Sequence, residues 1–305
     1  MDYISPTSLM LFNQDREEFY RKYISPYSKV YRKLSKQTQP MAVGSAFDAF
    51  AKSYLHKELY GPGYPEYVFK TIFTSQVDEE HREWALGAGK GVFIDYIKSG
   101  ALADLMLALK LAFDAPRFEF TVEGEVDGVP ILGKPDAFFS LDSGELVILD
   151  WKVNGYCSNY SVSPKPGYVM LRPGDKSHKD CVNGEVGGLI INTNKNLEDV
   201  DEKWATQIQM YAWALGGGST IACIDQLVFD KHRKLRVAEH RSRIGTDFAT
   251  TLRGQLVEAW DAITNDRVVT KEKADEINTQ LERAEKDVNE AWYLQHIEGG
   301  RPFYA

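Results

Sequence analysis

A chain of 305 residues with net charge −8 can form one large domain or two small ones, and it is too acidic to coat nucleic acid through its whole surface. Its 43 % apolar and 26 % charged content suits a soluble globular protein, and no run approaches the roughly 18 apolar residues of a membrane span. The opening Met1-Asp2-Tyr3-Ile4-Ser5-Pro6 lacks the basic region and apolar core of a secretory signal. Three cysteines, Cys157, Cys181 and Cys223, fit a reducing cytoplasm better than a disulfide framework.

In chain order, residues 5–24 read as one capped helix. Ser5-Pro6 opens it, or Thr7 or Ser8 caps it, and Leu9, Phe12, Phe19, Tyr20 and Tyr23 recur at near-helical spacing. Residues 25–40 are basic and Tyr-rich, with Lys29, Arg32, Lys33 and Lys36 beside Tyr27 and Tyr31. They form either a solvated loop or a contact to nucleic-acid phosphates with stacking tyrosines. Residues 41–59 carry the helical stripe Met41, Phe47, Phe50, Ala51 and Leu55. A Gly/Pro/aromatic loop is expected over 60–75, then helices over about 76–98 and 100–113. Gly87-Ala88-Gly89-Lys90-Gly91 lacks the spacing and the Ser/Thr of a phosphate loop, so it is a chance match or a helix break.

Residues 118–125 alternate like a strand, with Glu119 and Glu123 on one face, and Asp127-Gly128 marks a turn. Residues 129–152 then read as two strands joined by Asp142-Ser143-Gly144, a three-residue hairpin loop with Gly in the left-handed position. If Leu141 faces Glu145, Asp136 lies opposite Asp150, with Cβ atoms about 4.5–5.5 Å apart on a shared face. Lys152 points to that face too. Two carboxylates that close repel unless a cation lies between them. Their oxygens suit Mg²⁺ or Mn²⁺, and the lysine could hold an attacking water or a phosphate oxygen.

Residues 154–200 form a long Gly/Pro/Ser-rich insertion with a basic cluster, Lys165, Arg172, Lys176, His178 and Lys179, and short strands at 168–171 and 188–192. It serves as a lid, a DNA-contacting flap or a mobile loop. Residues 201–215 are a helix with Trp204, Ile208, Tyr211, Ala212 and Leu215 on one face and Gln207 one turn from Tyr211. A hairpin over 221–229 and 234–242 precedes helices at 246–264 and 270–297.

Pro135-Asp136 followed by Asp150-Trp151-Lys152 resembles the signature of the PD-(D/E)XK nuclease superfamily in its D-x-K form. Three more stretches resemble the branch containing RecB-like, Cas4-like and phage exonucleases. Ser8-Leu9-x-x-Phe12 with Phe19-Tyr20-x-x-Tyr23-Ile24 resembles its N-terminal helix. Gly44-Ser45-Ala46-Phe47-Asp48 resembles G-x-x-x-H, with Asp48 in place of the histidine ligand. Gln207-Ile208-Gln209-Met210-Tyr211 resembles Q-x-x-x-Y.

The resemblance implies an α/β fold: a mixed central β-sheet flanked by helices, a restriction-endonuclease-like core over 1–265 with a helical C-terminal extension over 266–305. It implies a divalent-metal-dependent DNA exonuclease of phage or bacterial recombination, repair or degradation, resident in the cytoplasm, the host's if phage-encoded. Asp48, Asp136, Asp150 and the Trp151 carbonyl would hold Mg²⁺ or Mn²⁺. Lys152 would position water and neutralise charge, while Gln207 and Tyr211 orient the strand or Lys152. DNA is the implied partner, with a single-strand-annealing or recombination protein as a further one. Some members hold an iron–sulfur cluster on four cysteines. Here Asp15-Arg16 stands where the branch often has Cys-Pro, and only three cysteines exist, so no cluster is expected. The alternatives are a structure-selective or restriction-like endonuclease, and a catalytically silent DNA- or protein-binding member of the fold.

Overall fold

The structure, a computed structural model, describes residues 1–118 and 121–293, without the side chains of 33, 34 and 288–293. Glu119 and the expected helix beyond 293 therefore lie outside the described residues. Gln37–Arg253 form one compact unit, and Met1–Lys36 with the described residues from Gly254 to Tyr293 form another. In the second unit the N-terminal segment belongs with the C-terminal helices.

In the smaller unit, Ser5 caps α1 (Pro6–Gln14) through a reciprocal box with Ser8. The expected single helix is interrupted at Asp15, whose carboxylate accepts the Glu18 N–H and starts α2 (Arg16–Phe19), followed by a π-turn over Tyr20–Ile24. The residue standing where the resembled branch often has cysteine is thus a helix cap. Next comes α3 (Ser28–Leu34), so the basic segment is partly helical.

The larger unit opens with α4 (Gln39–Tyr60), α5 (Phe69–Gln76), α6 (Arg82–Ser99) and α7 (Ala101–Lys110). α5 lies in the stretch expected to be loop; its Ile72 and Phe73 are buried against α4. The strands are β1 (Arg117–Phe118), β2 (Val122–Val126), β3 (Val129–Gly133), β4 (Ala137–Ser140), β5 (Leu146–Asn154), β6 (Met170–Arg172), β7 (Asn183–Val186), β8 (Leu189–Asn192), β9 (Thr220–Phe229) and β10 (Leu235–Ser242). Between β8 and β9 runs α8 (Glu202–Ala214), capped by Asp201. The chain continues through α9 (Thr246–Thr264) to α10 (Lys271–Tyr293), which joins the smaller unit. There Asn278 meets Ser25 and Tyr20, and Ile277 and Leu281 are buried.

Six strands form one mixed sheet in the order β1-β4-β5-β9-β10-β6. β5 and β9 are parallel at its centre, and the other neighbours are antiparallel. Central strands covered on both faces need continuous apolar runs, which Val147–Leu149 and Ile221–Ile224 provide. On one face Phe139, Leu149 and Cys223 pack with Phe47 and Val92 from α4 and α6. On the other, Phe138, Ile148 and Ile224 pack under Trp204, Ile208 and Tyr211 of α8. The expected helix-flanked mixed sheet is the observed one.

The stretch before Leu141 is two strands, not one. β3 pairs with β2 in a separate hairpin that turns at Asp127-Gly128, both at positive φ. The chain leaves the ladder at Lys134-Pro135-Asp136, where proline has no N–H to donate, and re-enters as β4. The Gly87–Gly91 run is neither a phosphate loop nor a break; it lies inside α6. A Cβ on Gly89 would stand 2.5 Å from the Ala46 Cβ, so glycine lets α6 press against α4.

Gly89→Val should therefore lower stability by about 1–3 kcal/mol, read as a reduced urea midpoint. His240 gives a second expectation. It is buried in β10 beside Trp204 (5.3 Å between ring centroids), with Nε2 3.4 Å from Gln226 Oε1. Desolvation first, then the charges of Arg241 and Lys165, push its pKa down to about 3. Protons bind the unfolded chain preferentially once pH falls below its ordinary value near 6.5, so stability is full above that pH and is lost toward pH 3. His240→Phe should gain about 2 kcal/mol relative to wild type between pH 7 and pH 5 in urea titrations.

Candidate active site

Asp136, Asp150 and Lys152 owe their positions to the hairpin. Leu141 N–H donates to Glu145 O at 2.9 Å, and Gly144 sits at φ +86°. The ladder pairs Ala137 with Leu149 and Phe138 with Ile148, so one step further sets Asp136 opposite Asp150. This is the register expected from the turn. Asp136 stands just outside the strand, and its Oδ2 accepts the Trp151 N–H at 2.9 Å.

β5 alternates its side chains between the two layers. Trp151 points toward α4 and α6, where it meets Phe47 edge-on and its indole N–H donates to the Tyr96 hydroxyl at 3.4 Å. Asp150 and Lys152 point toward α8. Lys152 Nζ lies 2.5 Å from Asp150 Oδ2 as an ion pair. Gln207 joins the two: its Nε2 donates to Asp150 Oδ1 at 2.8 Å and to the Tyr211 hydroxyl at 2.9 Å, while its Oε1 accepts from Lys152 Nζ at 2.7 Å. The reverse amide orientation would set its N–H₂ against the ammonium, so the contacts fix one arrangement.

Burial and charge pull this pair in opposite senses. Asp150 is nearly buried, and desolvation raises its pKa to about 6 despite the opposing pull of Lys152. Desolvation works to lower the Lys152 pKa, but the Asp150 carboxylate outweighs it and raises it instead. Burial also raises the Tyr211 hydroxyl above its ordinary value, which keeps it neutral.

α4 supplies the other wall of a cleft of about 430 Å³ lined by Gly44, Asp48, Lys52, Asp136, Asp150 and Lys152 among others. Asp48 does face this cleft. Its Oδ2 accepts from Gln76 Nε2 at 3.0 Å and lies 2.7 Å from Lys52 Nζ. The same ammonium lies 3.0 Å from Asp136 Oδ1. Among the described residues no three His, Cys, Asp or Glu side chains are arranged around one cation position.

Lys52, Gln76 and Lys134 complete the lining of this cleft. Asp48 and Lys52, one helical turn apart, form a readable i,i+4 pair. Gln76 comes from the end of α5 and carries no local signal, whereas Lys134 lies two residues before Asp136 in the hairpin stretch itself.

Two basic residues expected to hold DNA phosphates are committed elsewhere. Arg172 is bound by Asp104, Asp175 and Glu239, and it lines a separate, largely apolar cavity of about 330 Å³ beneath α7. Lys165 pairs with Asp201, the α8 cap. Lys176 is exposed.

No protein-family model matches the sequence, and no curated protein matches it. Three of the solved structures to which the chain is similar are as follows. A candidate exonuclease from Eubacterium rectale is 12 % identical, with a TM-score of 0.44 over 88 % of this chain and 83 % of its own. A protein named SSO0001 is 15 % identical, TM-score 0.26, over 83 % and 84 %. Protein VC1899 from Vibrio cholerae is 12 % identical, TM-score 0.24, over 86 % and 58 %.

Removing the Gln207 amide strands a buried carboxylate oxygen without its donor. Gln207→Leu should therefore lower stability by about 1–3 kcal/mol at pH 7.5, measured by urea unfolding, although leucine adds apolar surface.

Proposed function

We propose that this chain is a divalent-metal-dependent deoxyribonuclease of the PD-(D/E)XK type, which degrades linear DNA from its ends. The observation that carries the reading is one cleft lined by Asp136 and Asp150 at opposed hairpin positions, with Lys152 paired to Asp150 and Gln207 bonded to both.

The donor chemistry suits Mg²⁺ or Mn²⁺. Asp136, Asp150 and the Trp151 carbonyl offer hard oxygens, and Mg²⁺ is commonly held by one or two carboxylates completed by water and substrate phosphate. The cleft already accommodates a cation, since the Lys52 ammonium lies between Asp48 and Asp136. Asp48, the further ligand implied by the G-x-x-x-H-like motif, shares that ammonium. A bound divalent ion lowers the pKa of water and takes up charge from the phosphate.

The chain's own residues supply the remaining functions. Lys152 stays charged beside Asp150 and can donate to the attacking water or to a non-bridging phosphate oxygen as negative charge grows there. Gln207 holds the Lys152 ammonium and the Asp150 carboxylate in one relative orientation, and Tyr211 holds Gln207. Phosphodiester hydrolysis by water is the reaction this set serves. An annealing or recombination protein that receives the processed DNA is the proposed partner.

The test supplies linear duplex, linear single strand and covalently closed circles of one sequence with Mg²⁺, Mn²⁺ or EDTA. Loss of linear DNA with Mg²⁺ and none with EDTA is expected. Asp150→Asn and Lys152→Met should each slow it about 100-fold or more with unchanged circular dichroism. Circles cut as fast as linear ends would favour the endonuclease alternative. DNA binding without cleavage under every condition would favour the silent member of the fold.

A further inference from the structure

Lys52 is a charged group inside the cleft that the proposed chemistry leaves without a task. It is 2 % exposed on α4, one turn beyond Asp48. Its ammonium is 2.7 Å from Asp48 Oδ2 and 3.0 Å from Asp136 Oδ1, the geometry of a cation seated between two carboxylates. Gln76 donates to the same Asp48 oxygen at 3.0 Å and so steadies it toward the lysine. A buried ammonium with two carboxylate partners is held firmly, because separating it from them leaves uncompensated charges in a desolvated site.

Resting on the metal-dependent reading above, we infer that Lys52 is a built-in cation that occupies the Asp48–Asp136 position and limits the site to a single divalent ion, taken on the Asp150 side of Asp136. Charge balance points the same way. Two divalent ions with Lys52 and Lys152 would set six positive charges against the three carboxylates of Asp48, Asp136 and Asp150. One divalent ion sets four against three, before the exposed Lys134 of the same cleft adds a fifth, so a second ion would meet the larger excess of positive charge. Asp136 can serve both cations. Oδ1 meets Lys52, and Oδ2, which accepts the Trp151 N–H, keeps a second lone pair. Asp48 is then a positioning residue for Lys52 rather than a metal ligand.

The experiment is a Mn²⁺ titration of the intact protein without DNA, with the unbound ion counted by its paramagnetic resonance signal. Wild type should bind one Mn²⁺ per chain. Lys52→Met, which removes the resident charge, should bind two. Lys52→Gln, which keeps a hydrogen-bond donor for the carboxylates, should also bind two and guards against a methionine variant that does not fold. Two ions in wild type overturn the inference and leave the metal-dependent reading standing, as does a single ion in either folded variant. No bound Mn²⁺ in wild type or variants would remove the metal-dependent reading and this inference with it.

Discussion

The turn at Asp142–Gly144 sets the register on which the cleft depends. Its Leu141–Glu145 hydrogen bond aligns β4 on β5, and that alignment sets Asp136 opposite Asp150. A slip of one residue would send Asp150 and Lys152 to the α4 face and bring Trp151 toward α8. Such a slip is opposed on both sides of the sheet. Phe138 and Ile148 are packed under α8, and Phe139 and Leu149 are packed under α4 and α6. The hydrophobic core therefore holds the charged site in place, and Tyr211 belongs to both, with its ring in the core and its hydroxyl on Gln207.

Charge inside this unit is arranged in alternating contacts. Along the cleft, Asp48, Lys52 and Asp136 form one chain of opposite charges, and Asp150 and Lys152 form the next. A second chain lies deeper in the sheet, where Arg241 meets Asp225 and Tyr96 donates to the same carboxylate. Trp151 connects this interior set to the cleft, since its indole bonds Tyr96 and its backbone N–H bonds Asp136. Buried ion pairs of this kind contribute little net stability after desolvation, but breaking one partner leaves a costly orphan. They consequently fix side-chain positions more than they hold the fold together.

The insertion between β5 and α8 divides its work. Its first strand, β6, adds an edge to the main sheet, where Arg172 is consumed by three carboxylates. Its second part makes the β7–β8 hairpin. Two members of the basic cluster, Lys165 and Arg172, are thus taken up in ion pairs with the protein's own carboxylates. Sequence spacing brings charges of one sign together along the chain, whereas their partners, such as Asp104 and Glu239 for Arg172, come from elements far away in sequence.

What the sequence determined by itself is local. Ser5-Pro6, Asp127-Gly128 and Asp142-Ser143-Gly144 specify a cap and two turns because their backbone and side-chain chemistry acts over a few residues. The apolar runs of β5 and β9 specify a sheet covered on both faces, and turn geometry alone carried the Asp136–Asp150 register. Only the tertiary structure decided the rest. It made Gly89 a packing contact between α4 and α6. It also laid α4 along the hairpin so that Lys52 entered between Asp48 and Asp136. The physical reason is range. Turns and caps are settled by neighbours in the chain, but which charge meets which is settled by helix and sheet packing, and that depends on every layer at once.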